Sequence, residues 1–292
     1  MEDIELKQTK TFKKVIALIF TYLFLILCTL VLFLPFYWMI NVSLTSVEGF
    51  NNASGPLFIT DDLFEGIKNY IKLFKDYSAL RPIVNTLVFS ILTTAFTIIA
   101  SILASFAFAK FEFKGKRIAM VVFSVMAIIP SEVLIVGNYS TMVDLGLTST
   151  YIGLVFPSVL NITTVFILYK CFSSVNANIY YASKMDGLSD FNYLRKILIP
   201  MFRPTIIALI ALKLVECWNL YVWPSFVSNE ESYRLIGTTI QSLRMNNVDV
   251  PVIMAFMVVV TIPAIIMIIV FRNKIYEGII KALTREEGKK SL

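Results

Sequence analysis

Lys213, Glu216, Asn219 and Trp223 recur every three or four residues in an otherwise apolar stretch. On a single helix their side chains would project within about 120° of one another. Charged groups at membrane depth face a bundle interior or an aqueous cavity rather than lipid, so this face is a candidate lining for a translocation path. Lys213 and Glu216, at i and i+3, could equally neutralise each other against a neighbouring subunit. Glu132 and Asn138 flank the outer end of another apolar stretch and join the candidate path. Asn161 and Thr164 share a face of a further stretch, where hydrogen bonding between helices is their expected task.

Other chemistries find no residues. The 292-residue chain has no histidine, which removes His-based triads, imidazole zinc sites and haem ligation by His. Cys28, Cys171 and Cys217 show no ligand spacing and read as packing residues in or beside apolar segments. The phosphate-cradling G-x-x-x-x-G-K-[ST] loop, HExxH and GxSxG are all missing, so no catalytic residue, metal site or cofactor is assigned to this chain.

The elements that would hold the polar residues follow from composition. Apolar residues make up 57% of the chain and charged residues 16%, too oily for a soluble domain of this length. Apolar runs near or above the roughly 20 residues needed to cross a bilayer mark six spans, about 15–40, 85–108, 118–136, 152–172, 205–226 and 252–271. The fold class is an all-α polytopic membrane bundle, a single domain over 15–271, with short tails 1–14 and 272–292. With the N-terminus inside, Lys and Arg concentrate in the tails and in the segments around Lys110–Arg117 and Lys184–Arg203, and are sparse in the outer connections. Both termini are therefore cytoplasmic by the positive-inside rule, and the formal charge of +6 reflects the membrane rather than nucleic acid. Pro130, Pro157 and Pro263 fall inside spans and mark kinks. FEGIKNYIKLF, in the first outer connection, reads as an amphipathic helix on the outer surface. The last outer connection, VSNEESYRLIGTTIQSLRMNNVDVP, reads as a polar loop.

One polar insert lies on the inner side, residues 176–200. NANIYYASKMDG predicts a short helix opened by Asn176 or Asn178 and ended by Gly187 in a left-handed C-cap. Ser189 or Asp190 can cap a second helix that runs towards Pro200. Asp-Gly is a common turn pair, so an ordinary connector is one reading of this loop.

The spacing of the whole stretch supports another. Tyr181-Ala182-Ser183, Asp186-Gly187 and Ile197-Leu198-Ile199-Pro200 resemble the E-A-A … G … I-x-L-P coupling loop of ABC importer permeases, with Tyr181 where the family carries Glu. ASFAFAKFEFKGKR, IPSEVLIVGNYSTMVDLGLTSTYIGLVFP, CWNLYVWP and FRNKIYEGIIKAL are similar to further segments of carbohydrate-importer permeases, in particular the smaller permease of maltose-type systems. The resemblance covers most of residues 65–283. It implies a type I importer fold and a permease forming half of a pore for a sugar, oligosaccharide or polyol. Its partners would be a second permease, two ATPase subunits that bind ATP and Mg, and an extracytoplasmic binding protein. It further implies that Tyr181, Ala182, Ser183, Met185, Asp186, Gly187 and Pro200 carry the ATPase coupling, and that the last outer connection contacts the binding protein.

The rival reading is a stand-alone secondary transporter driven by an ion gradient. It calls for inverted repeats and broken helices meeting at the midplane, and the sequence displays neither.

Overall fold

The computed structural model describes residues 2–52, 63–228 and 230–290, with the side chains of residue 14 and of 16–52, 64–228 and 230–277. The basic tail residues Lys7, Lys10, Lys13, Lys281, Arg285, Lys289 and Lys290 lie outside the described side chains. Among the described residues every regular element is helical. In chain order the α-helices are α1 (Glu2–Ser43), α2 (Val47–Asn52), α3 (Leu63–Asp76), α4 (Leu80–Lys110), α5 (Lys116–Met126), α6 (Ile135–Asp144), α7 (Tyr151–Val155), α8 (Ile162–Ser173), α9 (Ala177–Met185), α10 (Asp190–Tyr193), α11 (Ile199–Met201), α12 (Arg203–Trp218), α13 (Val222–Val227), α14 (Ile236–Met245) and α15 (Val250–Lys290). A π-helical turn, Leu194–Leu198, joins α10 to α11.

Among the described residues, three helices are long and apolar enough to cross a bilayer: Ile16–Ser43, Leu80–Lys110 and Val250–Glu277. Three bent pairs pass the same test together: Lys116–Met126 with Ser131–Asp144 at 97°, Tyr151–Ser158 with Ile162–Ser173 at 50°, and Asp190–Met201 with Arg203–Trp218 at 81°. Counting each pair as one span gives up to six, the last of these pairs crossing through Arg203–Trp218 while Asp190–Met201 belongs to the polar insert 176–200. The kinks expected at Pro130 and Pro157 are found as breaks sharp enough to part each of those spans into two helices, a division the sequence reading did not make. Proline is the physical reason for two of the breaks. Pro130 is extended, with φ −60° and ψ 136°, and a helix stops before a residue that cannot continue its hydrogen bonds. Pro157 sits in a 3₁₀ turn, Phe156–Ser158, before Asn161 recaps α8 by accepting from the Thr164 amide at 2.9 Å. Pro263 lies inside α15 without ending it.

The chain divides into two compact units, Met1–Ser78 with Asn246–Val259, and Ala79–Met245 with Val260–Leu292. In the first unit, α3 is fastened to the end of α1. The Asn69 amide donates to the Ser43 and Thr45 carbonyls at 3.1 and 2.7 Å, and Ser43 and Tyr70 share a hydrogen bond of 2.7 Å. Lys72 pairs with Asp249 at 2.8 Å, and the hydrogen bond that its ammonium donates to that carboxylate, despite partial burial, raises the lysine pKa. The face of α3 opposite Asn69 leaves Phe64, Ile67, Ile71 and Phe74 exposed.

In the second unit, α4 is the central column. Ser90, Thr93, Thr97, Ser101 and Ser105 are buried along it. Small hydroxyl residues let neighbouring helix backbones approach closely, and Ser105 Oγ donates across to the Val165 carbonyl of α8 at 2.8 Å. Two apolar clusters cap this column. One gathers Ile98, Phe106, Leu168, Phe172, Tyr193, Leu198 and Phe202 next to the 176–200 loop. The other gathers Phe89, Met142, Leu154, Cys217, Trp223 and Leu235.

Candidate functional site

The 176–200 loop is built as the sequence predicts, with more bracing than it reveals. Asn176 caps α9, its side chain accepting from the Asn178 amide at 2.9 Å. At the other end Gly187 adopts φ +78°. Its amide donates to the Lys184 carbonyl, and the Leu188 amide donates to the Ser183 carbonyl, both at 3.0 Å. This paired pattern is the Schellman termination, which favours glycine because the left-handed region is costly for a residue with a Cβ. Ser189 then caps α10 by accepting from the Asn192 amide at 3.3 Å.

The two helices are tied together through Asp190. Its Oδ1 takes the Lys184 ammonium at 2.6 Å and accepts the Tyr180 hydroxyl at 2.7 Å. The hydrogen bond from Lys184, then that from Tyr180, holds the Asp190 carboxyl below its ordinary pKa. Burial, followed by the bond to Asp190, pushes the Tyr180 hydroxyl up to about 12. The Lys184 nitrogen also lies 5.5 Å from the centroid of the Tyr180 ring, within cation–π range. That ring meets buried Tyr193 edge-on at 5.1 Å, which joins the loop to the apolar cluster beneath it.

These contacts sort the expected coupling residues. Ser183 is buried and donates to the Tyr180 carbonyl at 2.7 Å. Tyr181, Ala182, Asp186 and Gly187 are exposed, and Met185 is 83% exposed. With Ile179 they form an outward face that is mostly apolar, because Lys184 is turned into the brace. Pro200, in the first turn of α11, is exposed and follows the π-helical turn. The sequence reading counted Lys184 only among the inner basic residues; its partner lies six residues on, across a helix break, a spacing that no single-helix rule picks out.

The polar stripe is reorganised. Lys213 is 6% exposed and pairs with Glu216 at 2.7 Å, whose carboxylate is 51% exposed. Asn219 is the C-cap of α12; it is exposed, and its side chain donates to the Val215 carbonyl at 2.8 Å. The expected span 205–226 is not one helix. It stops at Trp218 and restarts at Val222, since Pro224 has no N–H to carry the ladder through residue 220. Trp223 therefore does not continue the stripe. It is buried, and its indole donates to the Gly153 and Leu154 carbonyls at 3.3 and 3.1 Å. Glu132 is exposed and accepts from Ser131 at 3.2 Å, while Asn138 is half-buried on α6. Asn161 is taken up in capping α8.

The sequence reading missed Asn85. Its side chain donates to the Ser232 and Arg234 carbonyls at 2.8 and 3.0 Å and accepts the Tyr151 hydroxyl at 2.8 Å. Beside it, Thr86 Oγ1 accepts from the Ile236 amide at 3.0 Å. These bonds organise the last outer connection, read from the sequence only as a polar loop, which holds the helix α14. A lone Asn near the start of an apolar span gives no hint of partners almost 150 residues away.

Comparison with known proteins adds the family. Residues 97–277 match the family described as binding-protein-dependent transport system inner membrane component. The sn-glycerol-3-phosphate transport system permease protein of Rhizobium meliloti is 25% identical over 92% of this chain and 98% of its own. The arabinooligosaccharides transport system permease protein of Bacillus subtilis is 26% identical over 89% of this chain and 92% of its own. Among solved structures, a bacterial ABC transporter involved in the import of the acidic polysaccharide alginate contains a chain that superposes with a TM-score of 0.75 at 20% identity, over 87% of this chain and 95% of that one.

Proposed function

Because the chain belongs to the binding-protein-dependent transport system inner membrane component family, we propose that it forms half of the pore of an ATP-driven importer for a carbohydrate or polyol derivative. It is a multi-pass membrane permease of the ABC importer class. A second permease completes the pore, two ATPase subunits supply the energy, and an extracytoplasmic binding protein delivers the solute. The names of the relatives above, a polyol phosphate and an oligosaccharide permease among them, support that solute class. Both termini face the cytoplasm.

The observation that carries the coupling role is the braced loop with its outward face. An ATPase that closes on ATP can shift a pore between two states only through an element with different contacts in each, and that element must not yield under load. The Schellman end, the Asp190 brace and the Tyr193 stack favour the α9 face as that element, with Ile179, Tyr181, Ala182 and Met185 as contacts. Asp186 and Gly187 set the turn, Ser183 packs beneath, and Pro200 begins the return to the membrane. Glu216 and Asn219, exposed on α12, are proposed to face the path with Glu132 and Asn138. Lys213 holds Glu216 in place, and Trp223 supports the wall from behind.

Purification of the chain from its native host in mild detergent tests the reading. ATPase subunits and a second permease should co-purify, and the reconstituted complex should take up sugar only with ATP. A lone chain that moves sugar down an ion gradient refutes it.

A further inference from the structure

The second unit carries an open, solvent-facing cavity of about 670 Å³ lined by Tyr221, Gly237, Ile240, Gln241, Arg244 and Met245, none of them buried. The last five recur at i, i+3, i+4, i+7 and i+8, so they are one face of α14. Tyr221 forms the opposite wall from the break between α12 and α13. Gly237 is what lets the two walls meet: a Cβ there would lie 3.0 Å from Tyr221 Cδ2 and 3.3 Å from its Cβ. The ring is thereby seated against α14 while remaining 41% exposed.

Three planar polar groups border this space, the Tyr221 phenol, the Gln241 amide and the Arg244 guanidinium. None has a hydrogen-bond or ion-pair partner among the described residues, although the neighbouring Arg234 is bonded to Ser242 at 3.0 Å. The volume falls in the roughly 300–1,000 Å³ range of small-ligand sites, which are mostly apolar with a few polar groups. An aromatic wall suits the C–H face of a sugar ring, and an amide both donates to and accepts from hydroxyls. Guanidinium has five donors and no acceptor, and matches a carboxylate or phosphate in bidentate fashion. The donors on offer outnumber the acceptors, so a ligand rich in acceptor oxygens and carrying an anionic group complements the set.

We propose that this cavity is an outer subsite for an anionic saccharide, a uronic acid or sugar phosphate, held through Arg244 and Gln241 with Tyr221 as the stacking wall. The proposal rests on the importer reading above and narrows its solute class. It gives this subunit a direct contact with the solute on the side opposite the coupling loop.

The test uses the whole complex in phosphatidylcholine nanodiscs, titrated with a uronic-acid disaccharide and with its neutral hexose counterpart, and followed by saturation-transfer NMR. The uronate should bind at least tenfold more tightly than the neutral sugar. Arg244→Gln, at an exposed position, should weaken the uronate by about tenfold to a hundredfold and leave the neutral sugar unchanged. Equal uronate affinity in wild type and Arg244→Gln overturns the proposal, as does absence of uronate binding in a complex that hydrolyses ATP. Loss of uronate binding on adding phosphatidylglycerol assigns the cavity to a lipid headgroup and also overturns it. If Arg244→Gln instead weakens only capture of the binding protein, the guanidinium serves a protein contact and the subsite is rejected. ATP hydrolysis in the same preparations separates the two readings. Uronate binding without ATPase subunits supports the subsite and removes the importer reading.

Discussion

Replacing Gly187 by alanine isolates the left-handed turn that ends α9. An ideal Cβ at this position meets nothing within 4 Å, so no side chain has to move and the cost is confined to the backbone. Holding an L-residue at φ +78° costs about 1–2 kcal/mol, which multiplies the population of loops with this turn opened by roughly five to thirty. The Gly187 and Leu188 amides, bonded at 3.0 Å to the Lys184 and Ser183 carbonyls, report that opening through hydrogen exchange. In the purified complex their exchange should accelerate by that factor in Gly187→Ala, while amides within α12 keep their rates. Gly187→Asn should recover most of the protection, because Asn enters the left-handed region more readily than Ala. If coupling depends on a firm loop, sugar uptake per ATP hydrolysed should fall in the same order, alanine below asparagine below wild type. Unchanged exchange in Gly187→Ala, or asparagine as damaging as alanine, would refute the argument that the turn conformation stiffens the loop.

Further predictions concern single bonds. Asp190 is held below the ordinary carboxylate value of 3.8, so its brace is fully present above that value and is lost as pH falls through the depressed folded one. Loop protection in wild type should therefore stay level down to about pH 4 and fall below it; Asp190→Asn should lower protection at neutral pH by about 1–2 kcal/mol and abolish the acid-dependent limb. Glu216→Gln should reduce uptake while the complex still assembles, and Lys213→Met combined with Glu216→Gln should not restore it; rescue by the double variant would reassign the pair to mutual neutralisation. Asn85→Leu should destabilise the complex by about 2–4 kcal/mol, seen as a lower thermal midpoint, since three hydrogen bonds lose their partner; an unchanged midpoint would deny Asn85 its organising role.

Local chemistry was legible wherever the partner is near in sequence. Asn176, Gly187 and Ser189 act as caps because capping uses bonds that span only two to five residues, and the residue types alone announce them. The apolar runs likewise report membrane spans, since length and composition decide bilayer crossing. What composition does not carry is direction. The runs around Pro130 and Pro157 remain apolar through the bend, so a hydropathy window sees one span where the chain turns by 97° or 50°. The stripe through Trp223 failed for the same reason, because spacing rules assume an unbroken helix and Pro224 breaks it. Asn85 and Asp190 were invisible as organisers, since their partners come from other helices.

The fastening of α1 bears on how the protein is made. Residues Leu18 to Phe33 are exposed on every side apart from half-buried Cys28, while the far end, Met39 to Thr45, is gripped by Asn69 and Tyr70. A helix satisfies its backbone bonds internally, and an apolar stretch of this length is suited to lipid on its own account. It can enter the bilayer as soon as it leaves the ribosome and fix the orientation of everything that follows. The clip supplied by α3 lies later in the chain, so it can close only once residues 63–76 have been made. On this reasoning insertion does not wait for the clip, and Asn69→Ala should leave the topology of α1 untouched while loosening its outer end.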